Sequence, residues 1–216
     1  ALRRHVLGIL QILIQLDRSL DLDWLIREAL EQVGNKRTRD AEQVVSDVKE
    51  FIRTRFVYFH TSKEFPLDVV EAVVRARFND VVDARRRVEA LSQWKKRADF
   101  DAIMIGFKRV VNILKDAPQG EVRAELFVED AEKNLFGAFA GVRDRVVPLI
   151  GQGDYAQALE VLAELKPPID TLFDQVMIMV EDEQVRTNRL ALLRTIAALF
   201  GEIADFSFIG STADTK

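Results

Sequence analysis

Three groups of side chains have the types and spacing to grip a ligand that is anionic and rich in hydrogen-bonding edges. The first is Lys108, Arg109 and Asn112. At roughly 100° per residue on a helix, these three share a single arc of about 100°. Phe107, Val110, Val111, Ile113 and Leu114 fill the remaining arc. Such a helix anchors by its apolar side and presents two cations and an amide together. Ile105 falls on the polar arc and is an imperfection in it. Cations meet phosphates, and Arg or Asn can donate to the acceptors on a splayed base. The chemistry is therefore that of contact with a single-stranded nucleic-acid loop. The same spacing also describes a solvated helix face with i,i+4 support.

The second group is Arg186, Asn188 and Arg189. Arg186 and Arg189 line up with Leu190, Leu193, Ile196, Ala197 and Phe200, a stripe expected to be buried. They also follow Glu181-Asp182-Glu183, which repels phosphate. Two readings stand side by side: contact with RNA bases or backbone, and pairing with carboxylates at the edge of the core. The third group is Arg53 and Tyr58, with Arg55 and Phe59 nearby. An aromatic ring stacks on an unstacked base for about 1–3 kcal/mol. Phe59 continues the apolar stripe Val44, Val48, Phe51 and Ile52, which leaves Tyr58 with Arg53 as the surface pair. Arg85, Arg86 and Arg87 point around their helix rather than to one side.

The bulk composition removes other chemistries. The chain has no cysteine and two histidines, so disulfides, thiolate metal sites and a histidine-rich metal centre are excluded. No phosphate-binding glycine loop or nucleophile elbow occurs, and the acids at helix starts are explained by the helix dipole. Net charge is −4, but it is unevenly distributed. Residues 1–48 hold 7 basic and 8 acidic side chains, residues 49–123 hold 16 and 11, and residues 124–216 hold 8 and 16. The middle of the chain can face phosphate and the end mostly cannot. The most apolar stretch, residues 6–16, contains Gln11 and Gln15 and is far shorter than the roughly 20 residues of a bilayer span. The chain opens without Met, directly in helical sequence, which reads as a piece of something longer.

These groups must be positioned by helices. Apolar residues make up 48% of the chain, and its 10 glycines and 5 prolines fall between periodic segments. That pattern predicts an all-α helical bundle. Helices are expected over residues 2–16, 24–33 (with Asp21 or Asp23 as cap and Gly34-Asn35 as stop), 41–59, 66–77 and 81–94 (capped by Asp80). Further helices are expected over 99–115, 130–150, 154–165 (capped by Asp154), 169–180 and 182–206. Pro148 is expected to end or kink its helix. Lys95-Lys96-Arg97 reads as a basic junction between domains, and residues 210–216 as a frayed tail. Gly153-Asp154-Tyr155 with Ala158-Leu159 matches part of a tetratricopeptide consensus, but a single copy is no array.

Three stretches carry a resemblance. Phe107-Lys108-Arg109-Val110-Val111-Asn112-Ile113-Leu114 resembles the helix pattern Asn-Lys-Arg-Val-x-Asn-Ile-Leu, with Phe107 in place of Asn. Gly153-Asp154-Tyr155-x-x-Ala158-Leu159 is the second. The third runs from Ile169-Asp170 through Val176-Met177-Ile178-Met179, Glu181-Asp182-Glu183, Arg186, Asn188-Arg189-Leu190 and Leu192-Leu193 to Leu199-Phe200 and Ile203-Ala204-Asp205. At the other end, Ala1-Leu2-Arg3-Arg4 with Leu7-Gly8-Ile9-Leu10 resembles the helix that closes an upstream body. Together these are similar to the β subunit of bacterial glycyl-tRNA synthetase.

The resemblance implies a DALR-like anticodon-binding domain over residues 98–209. It is preceded by the end of the subunit body (1–38) and a helical linker region (39–97), and followed by a flexible tail (210–216). It implies that the chain recognises the anticodon stem-loop of glycine tRNA as part of a cytoplasmic glycine-tRNA ligase. In that enzyme a heterotetramer of two α and two β subunits places ATP and magnesium on the α subunit. No cofactor or catalytic group is then expected here. The rival expectation is a helical protein-interaction module that docks a partner subunit with little RNA contact.

Overall fold

Apolar positions at helical spacing must be buried against one another, and here they pack into ten α-helices among the described residues. The computed structural model describes residues 2–34, 38–62, 65–115 and 117–210. The first five helices are α1 (Leu2–Gln15), α2 (Leu22–Val33), α3 (Ala41–Thr61), α4 (Leu67–Ala76) and α5 (Val81–Trp94). The second five are α6 (Phe100–Ile113), α7 (Asp130–Gln152), α8 (Tyr155–Ala163), α9 (Lys166–Gln175) and α10 (Glu183–Gly201). Single 3-10 turns sit at Ala124–Leu126 and Phe206–Phe208. No helix is long and apolar enough to cross a membrane among the described residues.

Aspartate sets half of the helix starts among the described residues. The side chains of Asp21, Asp40, Asp80, Asp154 and Asp182 each accept a hydrogen bond from backbone N–H groups of the helix that follows. Each such cap contributes on the order of 1 kcal/mol. Tyr155, Ala158 and Leu159 are buried, so the tetratricopeptide-like fragment is a capped core helix.

Four expectations need correction. The helix through Pro148 continues to Gln152 and ends on Gly153, whose φ of 74° suits a residue without Cβ. Pro148 lies on the exposed side, so the carbonyl it leaves without a partner faces water. The buried stripe of α3 is Val45, Ile52, Phe56 and His60, with Val44, Phe51 and Phe59 only half-buried and Val48 exposed. α9 starts at Lys166, with Pro167 and Pro168 in a first turn that needs no donors, and it stops at Gln175. α10 stops at Gly201 because the chain beyond it is bound elsewhere: the Asp205 N–H donates to the Ala72 carbonyl at 2.8 Å. Asn35 of the expected helix stop, and the tail beyond Gly210, lie outside the described residues.

α1 to α5 form one packed group and α6 to α10 another, and a continuous apolar core runs through both. α5 packs on α8, and the turn at Phe206–Phe208 packs on α4 and α6. Phe206 sits among Trp94, Phe107 and Phe200, with ring centroids 5.2–6.2 Å away. The basic junction is not a bare patch. Lys95 is buried and pairs with Asp68 at 2.5 Å, while Arg97 pairs with Asp99 and Glu160.

Arg87 fastens the two groups. It is wholly buried, and its Nη1 donates to the carbonyls of Val73 (2.9 Å) and Ile203 (3.1 Å). Nη2 donates to the Arg77 carbonyl at 2.9 Å, and Nε to Asp83 at 2.9 Å. Burial lowers the pKa of Arg87 from its ordinary value, and Asp83 opposes that shift. Asp83 also accepts from Tyr155, whose hydroxyl pKa is pushed up to about 12 by burial and by that hydrogen bond. Replacing Arg87 by Met removes the side-chain donor from the carbonyls of Val73, Arg77 and Ile203 and one charge partner from Asp83, which keeps Arg77 and Tyr155. The Arg87→Met variant is expected to lose about 3–5 kcal/mol of stability, read from urea unfolding. A loss below about 1 kcal/mol would mean that water takes over the network.

Candidate nucleic-acid interface

α6 carries the first predicted group. Its apolar side, Phe100, Ile103, Met104, Phe107 and Val110, is buried in the core. Phe107, the position that departs from the resembled pattern, packs its ring 4.6 Å from that of Phe200 and 5.2 Å from that of Phe206. The opposite side faces out: Arg109 and Asn112 are exposed and Lys108 is half-buried. Ile105 is exposed on the same face, as its position on the polar arc requires.

Arg109 is held in place. Its guanidinium carbon lies 4.5 Å from the centre of the Phe173 ring on α9, and Nη1 is 3.9 Å from Asp174. An exposed ion pair of that length is worth little, so the cation remains available to a stronger anion. Lys108 and Asn112 have no ion-pair or hydrogen-bond partner for their side chains among the described residues. Lys115, which the sequence reading did not single out, extends the face. It follows Asn112 by three residues, the Asn112 carbonyl accepts from its N–H at 3.5 Å, and it is exposed. The i,i+3 spacing from Asn112 was the signal that could have found it.

The second group separates from the first. Asn188 is buried and makes a two-way bond with the backbone of Arg123: Oδ1 accepts from its N–H at 2.7 Å and Nδ2 donates to its carbonyl at 2.9 Å. Arg189 is buried against Glu132 on α7, with Nε 2.8 Å from Oε1 and Nη2 3.3 Å from Oε2. Nη1 of Arg189 donates to the Met177 carbonyl at 2.9 Å. Asn188 and Arg189 are thus corrected from ligand contacts to framework, because every polar atom described here points inward to a partner. Arg186 is half-buried, and its Nη1 donates to the carbonyls of Val180 (2.8 Å) and Glu181 (3.4 Å). The carboxylate that pairs with the buried arginine comes from α7, not from the neighbouring acids 181–183.

The third group is split as well. Arg53 is committed to Glu50 on its own helix, at 2.6 and 2.7 Å. Tyr58 is exposed and, with Arg53 and Arg55, lines an open cleft of about 340 Å³. This cleft belongs to α3 and α4 rather than to α6. Arg86 pairs with Asp17 and Arg85 with Glu89, so the triple arginine offers no common face.

Comparison with known proteins matches this architecture. A family model described as "Glycyl-tRNA synthetase beta subunit" matches residues 1–75, and one described as "DALR anticodon binding domain" matches residues 103–206. A glycine–tRNA ligase beta subunit of Syntrophotalea carbinolica is 43% identical over 211 residues, 98% of this chain and 31% of the relative. Those of Geotalea daltonii and Geotalea uraniireducens are 44% and 45% identical, covering 95% and 97% of this chain and 30% of each relative. The chain therefore spans about 30% of the length of the curated relatives it matches.

Glu132 reports on the frame behind the interface. Burial alone would raise its pKa, but Arg189 and the N–H groups of Glu129 and Val128 outweigh it and hold the carboxyl below its ordinary range. A carboxylate with a depressed folded pKa contributes stability above its unfolded value, about 4.3. That contribution is lost as pH falls through the folded value. Glu132→Gln is expected to cost about 3 kcal/mol near neutral pH, because Arg189 is left buried without its charge partner. The difference from the unsubstituted chain should shrink in chemical denaturation below pH 4. A constant difference from pH 7 to pH 3 would show that the carboxylate's charge is irrelevant.

Proposed function

We propose a function from one premise: the chain belongs to the glycyl-tRNA synthetase β-subunit family, and its residues 103–206 are a DALR anticodon-binding domain. On this reading the chain serves a glycine-tRNA ligase as a tRNA-binding piece and recognises the anticodon stem-loop of glycine tRNA. Residues 98–209 are the gripping unit, 39–97 the helical linker and 1–38 the end of the subunit body. Glycine activation with ATP and magnesium falls to the α subunit, in a cytoplasmic assembly of two α and two β subunits.

One observation carries the proposal. Lys108, Arg109 and Asn112 share the outer face of a helix whose other face is sealed in the core of the DALR match, and Lys115 stands exposed just past its end. Three cations can neutralise phosphates of a loop backbone, and Asn112 can hydrogen-bond a splayed base edge.

A second reading, a protein-docking module with little RNA contact, draws on Leu2, Ile9, Ile12 and Leu16, which stand exposed along and just beyond α1. A salt titration separates the two. Binding of glycine tRNA by this chain should weaken with salt at a log–log slope near −0.7 per neutralised phosphate. The Lys108→Ala/Arg109→Ala variant should lower the magnitude of that slope by about 1.4. Asn112→Ala should reduce discrimination against an anticodon-substituted tRNA. Equal affinity of the unsubstituted chain for both tRNAs would overturn anticodon recognition, and a flat salt response would favour protein docking.

A further inference from the structure

We infer that Met177 and Met179 form a fixed apolar platform on which unstacked bases of the RNA loop rest, beside the cations of α6. The inference rests on the tRNA-binding reading above and adds the residues that take the base faces.

The segment Val176-Met177-Ile178-Met179 alternates in exposure. Val176 and Ile178 are buried, while Met177 is 74% and Met179 59% exposed. Val176 has extended dihedrals, and the period of two puts both methionines on the outer side. Two large apolar side chains left in water are unfavourable by the area they expose. A slack loop could turn them inward, but this one is fastened. Arg189 donates to the Met177 carbonyl, Arg186 to those of Val180 and Glu181, and Arg189 is itself locked by Glu132. A buried ion pair and a second arginine thus hold the methionines outward.

The loop starts at the foot of the cationic face. Asp174, three residues before Met177, lies 3.9 Å from Arg109, and the Phe173 ring lies under the same guanidinium. The charges nearby sort the parts of a nucleic acid. Asp174, Glu181, Asp182 and Glu183 are exposed beside the methionines and repel phosphate. Lys108 on α6 and Lys115 just beyond its end attract it. A strand lying across both regions must turn its backbone toward α6 and its neutral base faces toward the loop. Methionine is unbranched and polarisable and adapts its shape to a flat partner. A basic peptide would suit the acids but would meet Lys108 and Arg109 next to them, so RNA is the occupant that the charge pattern favours.

The chain contains three methionines, and the third, Met104, is buried at 3% exposure. Limited peroxide oxidation read by mass spectrometry should therefore convert Met177 and Met179 to sulfoxides and spare Met104. Saturating glycine tRNA should protect Met177 and Met179. In equilibrium binding, Met177→Ser/Met179→Ser should weaken glycine-tRNA affinity roughly tenfold with the salt slope unchanged, since no phosphate contact is removed. Both side chains are exposed, so the melting temperature should stay within a degree or two, which separates lost contact from unfolding. Unchanged affinity, or full oxidation in the presence of tRNA, overturns the platform while leaving the cationic face intact. A chain that binds no tRNA at all overturns the functional reading and the platform with it.

Discussion

A guanidinium and a carboxylate removed from water together govern the C-terminal half of this protein. Arg189 of α10 and Glu132 of α7 are both buried, and neither can be left there alone without a cost of several kcal/mol. An apolar pair of the same volume could match their stability, but it would lack the remaining hydrogen bonds. Glu132 also accepts from the N–H groups of Val128 and Glu129 at the start of α7, and Arg189 also donates to the Met177 carbonyl. One pair thus fixes the start of one helix, the crossing of two and the course of the loop after α9.

The neighbouring residues of α10 repeat the device toward the other side. Asn188 clasps the backbone of Arg123, and Arg194 donates to the carbonyls of Ala117 and Pro118. The chain leaving α6 is therefore tied to α10 at both ends of its loop. Gly120 passes so close to Thr187 that a Cβ there would lie 2.8 Å from its methyl group. The outer face of α6 is consequently set by buried and half-buried side chains of α10. Arginine does two jobs here. Buried arginines satisfy backbone carbonyls, and Arg109 is propped on the Phe173 ring with its charge outward. The flat five-donor guanidinium suits both.

Much of the fold was legible because helices are local. The aspartate caps, the glycine at 153 and the 3.6-residue periodicity place most boundaries within a few residues of the observed ones. The misplaced ends share one cause. Residues 176–180 and 202–206 are apolar enough to continue a helix, yet their carbonyls and N–H groups are claimed by Arg189, Arg186, Arg87 and Ala72. Val176, Met177, Ile178 and Met179 are all apolar, so no polar alternation marks them as extended against the longer helical pattern. The site was legible in part for the same reason. Lys108, Arg109 and Asn112 lie on one helix, so spacing alone groups them, whereas Arg186, Asn188 and Arg189 required knowledge of what packs on α10.

By itself, the sequence determined the helical class, the order of the helices, the polar face of α6 and the resemblance that identifies the family. Those properties depend on residues a few positions apart or on the order of motifs along the chain. Only the tertiary structure decided which cations are framework and which are free. An arginine in sequence carries the same charge and donors whether it meets a phosphate or a buried carboxylate. The partner that settles the matter, Glu132 for Arg189 or the Val73 and Ile203 carbonyls for Arg87, stands up to 116 residues away and is brought within 3.1 Å only when the apolar faces close.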